Sequence, residues 1–115
     1  MEQLPGFLEK KRNLATLYKR NFQGIEGIKF FTEPPHTKSN YWLNSLLLDK
    51  VNIEQRNKLL EKTNDAGIMT RPAWTLLHKL AMFHDCPCMD LSCAVNLESR
   101  LINIPSSVFL AKVAA

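Results

Sequence analysis

Leu14, Leu17 and Tyr18 recur at spacings of three and four, and Phe22 continues the stripe. That period predicts an amphipathic helix over residues 8–22. Lys10, Lys11, Arg12, Lys19 and Arg20 then fall mostly toward water. Gly24 and Gly27 end the element and bend the chain. Ile28 to Thr32 is expected to form a short strand. Glu33-Pro34-Pro35-His36-Thr37-Lys38 reads as a loop, because two prolines remove backbone donors. From Asn40 to Leu48 apolar residues occupy both alternating sets, with Tyr41, Leu43 and Leu47 on one side and Trp42, Leu46 and Leu48 on the other. Such a run predicts a strand covered on both faces.

The second half alternates in the same way. Asn52 followed by Gln55 has the spacing of a capping box. A helix is expected from Ile53 to about Ala66, with Gly67 as its left-handed stop. Ile68-Met69-Thr70-Arg71 predicts a second short buried strand, ended by Pro72. Trp74, Leu77, His78 and Leu80 suggest a turn or two of helix, and Cys86-Pro87-Cys88 a loop. Asp90 can cap a helix through Arg100, with Leu91, Ala94, Leu97 and Leu101 as its apolar stripe. Ile102-Asn103-Ile104 is a last strand, broken by Pro105-Ser106-Ser107. The predicted fold is α/β in the α+β sense. It is a small, mainly antiparallel sheet of about three or four strands packed by helices. Residues 1–107 form one domain in this reading, and 108–115 a tail.

Composition narrows the function classes. The chain has 115 residues, 45% hydrophobic and 23% charged. That suits one globular domain and argues against intrinsic disorder. No run approaches the roughly 20 apolar residues of a spanning helix. The start, Met1-Glu2-Gln3-Leu4-Pro5, carries no basic-then-apolar leader pattern. No membrane association is expected. The net charge is +4 and spread along the chain. Nucleic-acid binders concentrate their charge, so that class is not expected either. Lys10-Lys11-Arg12, the densest cluster, reads as the solvated face of a helix. Cys86, Cys88 and Cys93 are three and tightly spaced, which is no disulfide framework and points to a reducing, cytoplasmic setting.

Three stretches carry candidate chemistry. His84, Cys86, Cys88 and Cys93 offer zinc-type ligands. A single residue between Cys86 and Cys88 strains the chelate, and no distant ligand pair completes it, so no metal is expected. Asn40-Tyr41-Trp42-x-Asn44 interleaves amides with rings. Such a stretch lines a sugar or base pocket, or simply packs in the core. Arg71-Pro72-Ala73-Trp74-x3-His78 groups a cation, a rigid turn, an indole and an imidazole. Arg71 there grips a phosphate or carboxylate, or pairs with a surface acid. No nucleophile elbow, phosphate-cradling glycine loop or His-Glu-x-x-His motif is present, so no catalytic residue is assigned.

Taken in order, these segments resemble a known family. They are Glu33-Pro34-Pro35 through Asn44, Asn64-Asp65-Ala66-Gly67-Ile68, Arg71-Pro72-x-Trp74-x3-His78, Cys86-Pro87, Arg100 and Ile102 through Ser107. The series is similar to the C-terminal small domain of the DegT/DnrJ/EryC1/StrS sugar-nucleotide aminotransferases. Look-alikes include enzymes making amino sugars for bacterial surface polysaccharides, the legionaminic-acid branch among them. The resemblance covers roughly residues 10–107 and leaves the tail unmatched. It implies the small domain of a fold-type I, PLP-dependent transaminase, whose larger domain carries the Schiff-base lysine and the phosphate cup. This chain shows no counterpart of that domain, so no cofactor-binding residue is assigned. PLP enters only if the chain is paired with a large domain. The family's small domain closes part of the active-site cleft. Its substrate-side positions map onto Asn40, Tyr41, Trp42, Arg71, Trp74 and His78.

Three functions follow as expectations. The first is a stand-alone or truncated small domain, inactive by itself, that self-associates through the apolar surface it once buried. The second is a subunit of a split aminotransferase, partnered by a separate large domain. The third is a non-catalytic module that binds a sugar nucleotide or a protein.

Overall fold

A computed structural model of the chain describes residues 2–114, and side chains as far as residue 111. Met1 and Ala115, the outer ends of the two sequence regions, lie outside the described residues.

Helix α1 runs from Leu4 to Phe22, one turn longer at its start than periodicity indicated. Pro5 sits in its first turn, where a missing N–H costs nothing. Lys19 and Arg20 occupy its last turn, where the helix dipole favours cations. Strand β1 is Ile28–Phe30, shorter than the expected run to Thr32. Strand β2 is Asn44–Leu48. Helix α2, Ile53–Asp65, starts at Asn52, whose Oδ1 accepts the Gln55 N–H at 2.9 Å. Strand β3 is Arg71–Pro72. Helix α3, Ser92–Arg100, runs straight into strand β4, Leu101–Ile104. Short 3-10 turns occupy Leu77–Lys79, Ala81–Phe83 and Val108–Ala114.

The four strands form one sheet in the order β1-β2-β4-β3, and every pairing is antiparallel. Two edges of the expected pattern shift for local reasons. Strand β2 begins at Asn44 rather than Asn40, because Tyr41 adopts a left-handed φ of 45° that no strand tolerates. Ile68 to Thr70 is not strand. The Thr70 N–H donates to Asn64 Oδ1 at 3.3 Å, and its carbonyl accepts from Asn64 Nδ2 at 3.0 Å. Thr70 is thereby tied to the end of α2 instead of the sheet. Pro72 is tolerated because β3 is an edge strand.

The sheet has one packed face. Leu46 and Leu48 of β2 and Ile102 and Ile104 of β4 are buried there. Tyr18 and Phe22 of α1, and Leu59 and Leu60 of α2, pack against them. Leu14 and Ala15 of α1 are also buried. The register puts Ser45 opposite Asn103 and Leu47 opposite Leu101 on the other face, and Lys29 opposite Leu47. None of these five is buried. The radius of gyration is 16.1 Å, against about 13 Å for a compact domain near this length. Large apolar side chains stay in water, among them Phe31, Trp42, Trp74, Met82 and Met89.

Candidate functional site

The loop between β1 and β2 is held from α1. Arg12 makes a two-pronged pair with Glu33, at 2.6 Å to Oε1 and 3.2 Å to Oε2. The same guanidinium donates to the Ser39 carbonyl at 2.6 Å and lies 5.6 Å from the centre of the Tyr41 ring. Glu33 Oε2 also accepts the Ser39 N–H at 2.5 Å. The Arg12 hydrogen bonds, then the Ser39 N–H, hold the Glu33 carboxyl below the usual carboxylate range. Tyr41 stacks on Phe30 at 6.5 Å and accepts the Glu33 N–H on its hydroxyl at 3.3 Å. These contacts offset the strain of a left-handed non-glycine residue, about 1 kcal/mol or more.

One residue on, Trp42 is fixed through its backbone. Its N–H donates to Asn40 Oδ1 at 3.0 Å, and its carbonyl accepts from Lys11 Nζ at 2.9 Å. Lys11 Nζ also donates to the Ser106 carbonyl at 2.6 Å, joining this loop to the turn after β4. The Lys11-Arg12 pair is therefore half-buried and engaged, not the solvated face expected from its charge. Lys11 sits one turn before Leu14 and Ala15 on the apolar stripe, and that spacing was the available signal.

The Trp42 indole projects outward and meets Trp74. Their ring centroids are 6.2 Å apart and the planes differ by 23°. Trp42 is 65% exposed and Trp74 69% exposed, so neither packs in the core. Asn40 and Tyr41 are loop residues rather than strand residues, and their side chains shape the turn. Arg71 lies opposite Asn103 at the sheet edge, exposed and without an ion pair among the described residues. His78 is half-buried in a 3-10 turn rather than on an α-helix shared with Trp74. The structure thus joins Trp42 to Trp74, while His78 sits in the 3-10 turn that follows Trp74.

Beside the loop, a cavity of about 410 Å³ opens on the uncovered sheet face, with Phe31, Lys38, Ser39, Tyr41, Leu43 and Ser45 in its lining. Ser45 Oγ donates to Asn103 Oδ1 at 2.8 Å across that face. The cysteine segment is separate. Cys86, Cys88 and Cys93 are free and exposed, and His84 Nδ1 lies 3.1 Å from Asp85 Oδ1. Among the described residues no three metal-ligating side chains gather. No helix among them is long and apolar enough to cross a membrane.

The GDP-perosamine synthase of Escherichia coli O157:H7 is 29% identical to this chain over 106 residues, 92% of this chain and 28% of that enzyme. The GDP-perosamine synthase of Vibrio cholerae is 26% identical over 107 residues, 92% of this chain and 29% of its own length. The chain therefore spans under a third of the curated relatives it matches. Helicobacter pylori PseC, an aminotransferase involved in the biosynthesis of pseudoaminic acid, has the same fold. It superposes with a TM-score of 0.82 at 17% identity, over 93% of this chain and 29% of PseC. The aminotransferase TlmJ of Streptoalloteichus hindustanus gives 0.80 at 17% identity, over 97% of this chain and 30% of TlmJ. The family to which these point is PLP-dependent. Its sequence model, the DegT/DnrJ/EryC1/StrS aminotransferase family, matches residues 1–114, and this chain belongs to that family.

Proposed function

We propose that the chain is the small-domain portion of a sugar-nucleotide aminotransferase, forms one wall of the substrate cleft, and does not transaminate by itself. The observation that carries this is the Trp42–Trp74 pair, two stacked and exposed indoles brought together from the loop before β2 and the loop after β3. Exposed rings so placed offer a stacking surface for a sugar or a base. Arg71 at the adjoining edge supplies a guanidinium for a phosphate. Asn40, Tyr41 and His78 complete the substrate side as shaping residues.

Among the described residues, the one lysine with a lowered pKa, Lys11, does not fit the cofactor. Burial lowers the Lys11 pKa, the direction an imine-forming lysine requires. Its Nζ is already committed to the Trp42 and Ser106 carbonyls. The partner in this reading is a PLP-bearing large domain that covers the face of Leu47, Leu101 and Phe31. Alone, the chain pairs that face with a second copy. Free, exposed thiols suit a cytoplasmic setting.

The test uses the full chain with and without a truncated Escherichia coli GDP-perosamine synthase lacking the matched segment. Alone, the chain is expected to form a dimer that Leu47→Glu disperses, and to give no saturable imine absorbance with PLP. Mixed, it is expected to form a one-to-one complex that Leu47→Glu blocks. A stoichiometric imine on the chain alone sinks the non-catalytic reading. A monomer at high concentration sinks the self-pairing, and a complex indifferent to Leu47→Glu sinks the assigned face.

A further inference from the structure

We propose that Lys11 and Arg12 are positioning residues that hold Trp42 in register with Trp74, so that the indole pair exists only while α1 grips the β1–β2 loop. This rests on the reading of Trp42 as a cleft residue. Three observations carry it.

First, the loop has no regular secondary structure between Phe30 and Asn44, so nothing in the sheet sets the place of Trp42. Second, its long-range side-chain anchors converge on α1. Arg12 binds Glu33 and Ser39 at the loop's two sides and lies over Tyr41. Lys11 takes the Trp42 carbonyl itself. Third, His36 and Tyr41 both have left-handed backbones, at φ of 62° and 45°. Non-glycine residues stay there only when surrounding contacts over-determine them. Releasing the Arg12 contacts lets Tyr41 relax to ordinary φ, which swings the next residue, Trp42. Lys11 adds a second tie through Ser106, so the turn after β4 moves with the loop.

Two closely stacked indoles give exciton-coupled circular dichroism, a signal that depends on their distance and angle. Trp42→Phe and Trp74→Phe, each removing one ring, identify that signal in the full chain. Arg12→Gln and Glu33→Gln are expected to abolish most of it while the helical amide spectrum stays as in the parent. Lys11→Met is expected to weaken it, and Arg12→Lys to restore part of the Arg12→Gln loss through a single bond to Glu33. An unchanged indole signal in folded Arg12→Gln and Glu33→Gln overturns the proposal. If Arg12→Gln does not fold, acid titration of the parent chain decides. The groups facing Glu33 are Arg12 from α1 and Lys38 and Tyr41 from the loop. Loss of the indole signal at a higher pH than global unfolding upholds the grip, and loss only with unfolding overturns it. In the reconstituted complex, an Arg12→Gln loss of signal with unchanged KM for the nucleotide sugar keeps the grip and removes the cleft reading.

Discussion

Leu46, Leu48, Ile102 and Ile104 are buried under α1 and α2, whereas one position along the same strands Ser45, Leu47, Leu101 and Asn103 remain part-exposed. The leucines of the Leu46-Leu47-Leu48 run are chemically identical, so composition does not separate the two faces. The helices do, because both lie on one side. The packed face uses its apolar residues to hold the chain together. The open face displays apolar residues with hydroxyl and amide groups among them, and Arg71 lies opposite Asn103 at its edge.

The comparison is broken most forcefully by paired truncations. Ile102→Ala on the packed face is expected to cost about 2–5 kcal/mol, through lost burial and an unfilled cavity. Leu47→Ala on the open face is expected to cost about 1 kcal/mol or less in the monomer. Urea unfolding measures both. Equal losses would mean the open face is covered within the chain. Asn52→Ala removes the cap of α2 and should cost about 1 kcal/mol, which shows how far that helix holds the packed face. Trp74→Ala should cost no more than about 1 kcal/mol, the scale of one aromatic pair, because the ring is mostly in water. A larger loss would make the pair structural.

Acid has the smallest expected effect. Arg12 and the Ser39 N–H hold the Glu33 pKa down. The contribution of Glu33 is therefore complete above the ordinary glutamate range, roughly pH 4. It declines progressively as pH falls from there and is gone below the lowered value. Glu33→Gln should flatten this acid limb in a melting-temperature profile, and an unaltered limb would assign it to other carboxylates.

Periodicity was sufficient to place α1, α2, α3 and the core strands, but it read β2 as covered on both faces, whereas only one alternating set is buried. It failed where side chains, not the sheet, take up the backbone's hydrogen bonds. Asn40 and Tyr41 read as strand because their residue types favour strands, yet Asn40 Oδ1 takes the Trp42 N–H and Tyr41 turns left-handed. Thr70 reads as strand but belongs to Asn64. In the 73–89 segment the expected turn or two of helix takes the form of two 3-10 turns, since its apolar residues share no continuous stripe. At the site, Trp42, Trp74 and Arg71 were legible as types. The Trp42–Trp74 juxtaposition was not, because it joins residues from two loops through a sheet whose order no local signal reports. Lys11 and Arg12 were missed because charge was weighed above position on the helix.

The most direct measurement is KM for a nucleotide sugar in an enzyme whose small domain is this chain, set into the Escherichia coli GDP-perosamine synthase in place of its matched segment. With Trp42→Ala or Trp74→Ala, KM should rise about tenfold, as expected for about 1.4 kcal/mol of lost stacking, while PLP binding is retained. A chimera that binds PLP and turns over with a KM indifferent to both substitutions would contradict the claim that these indoles form the cleft wall.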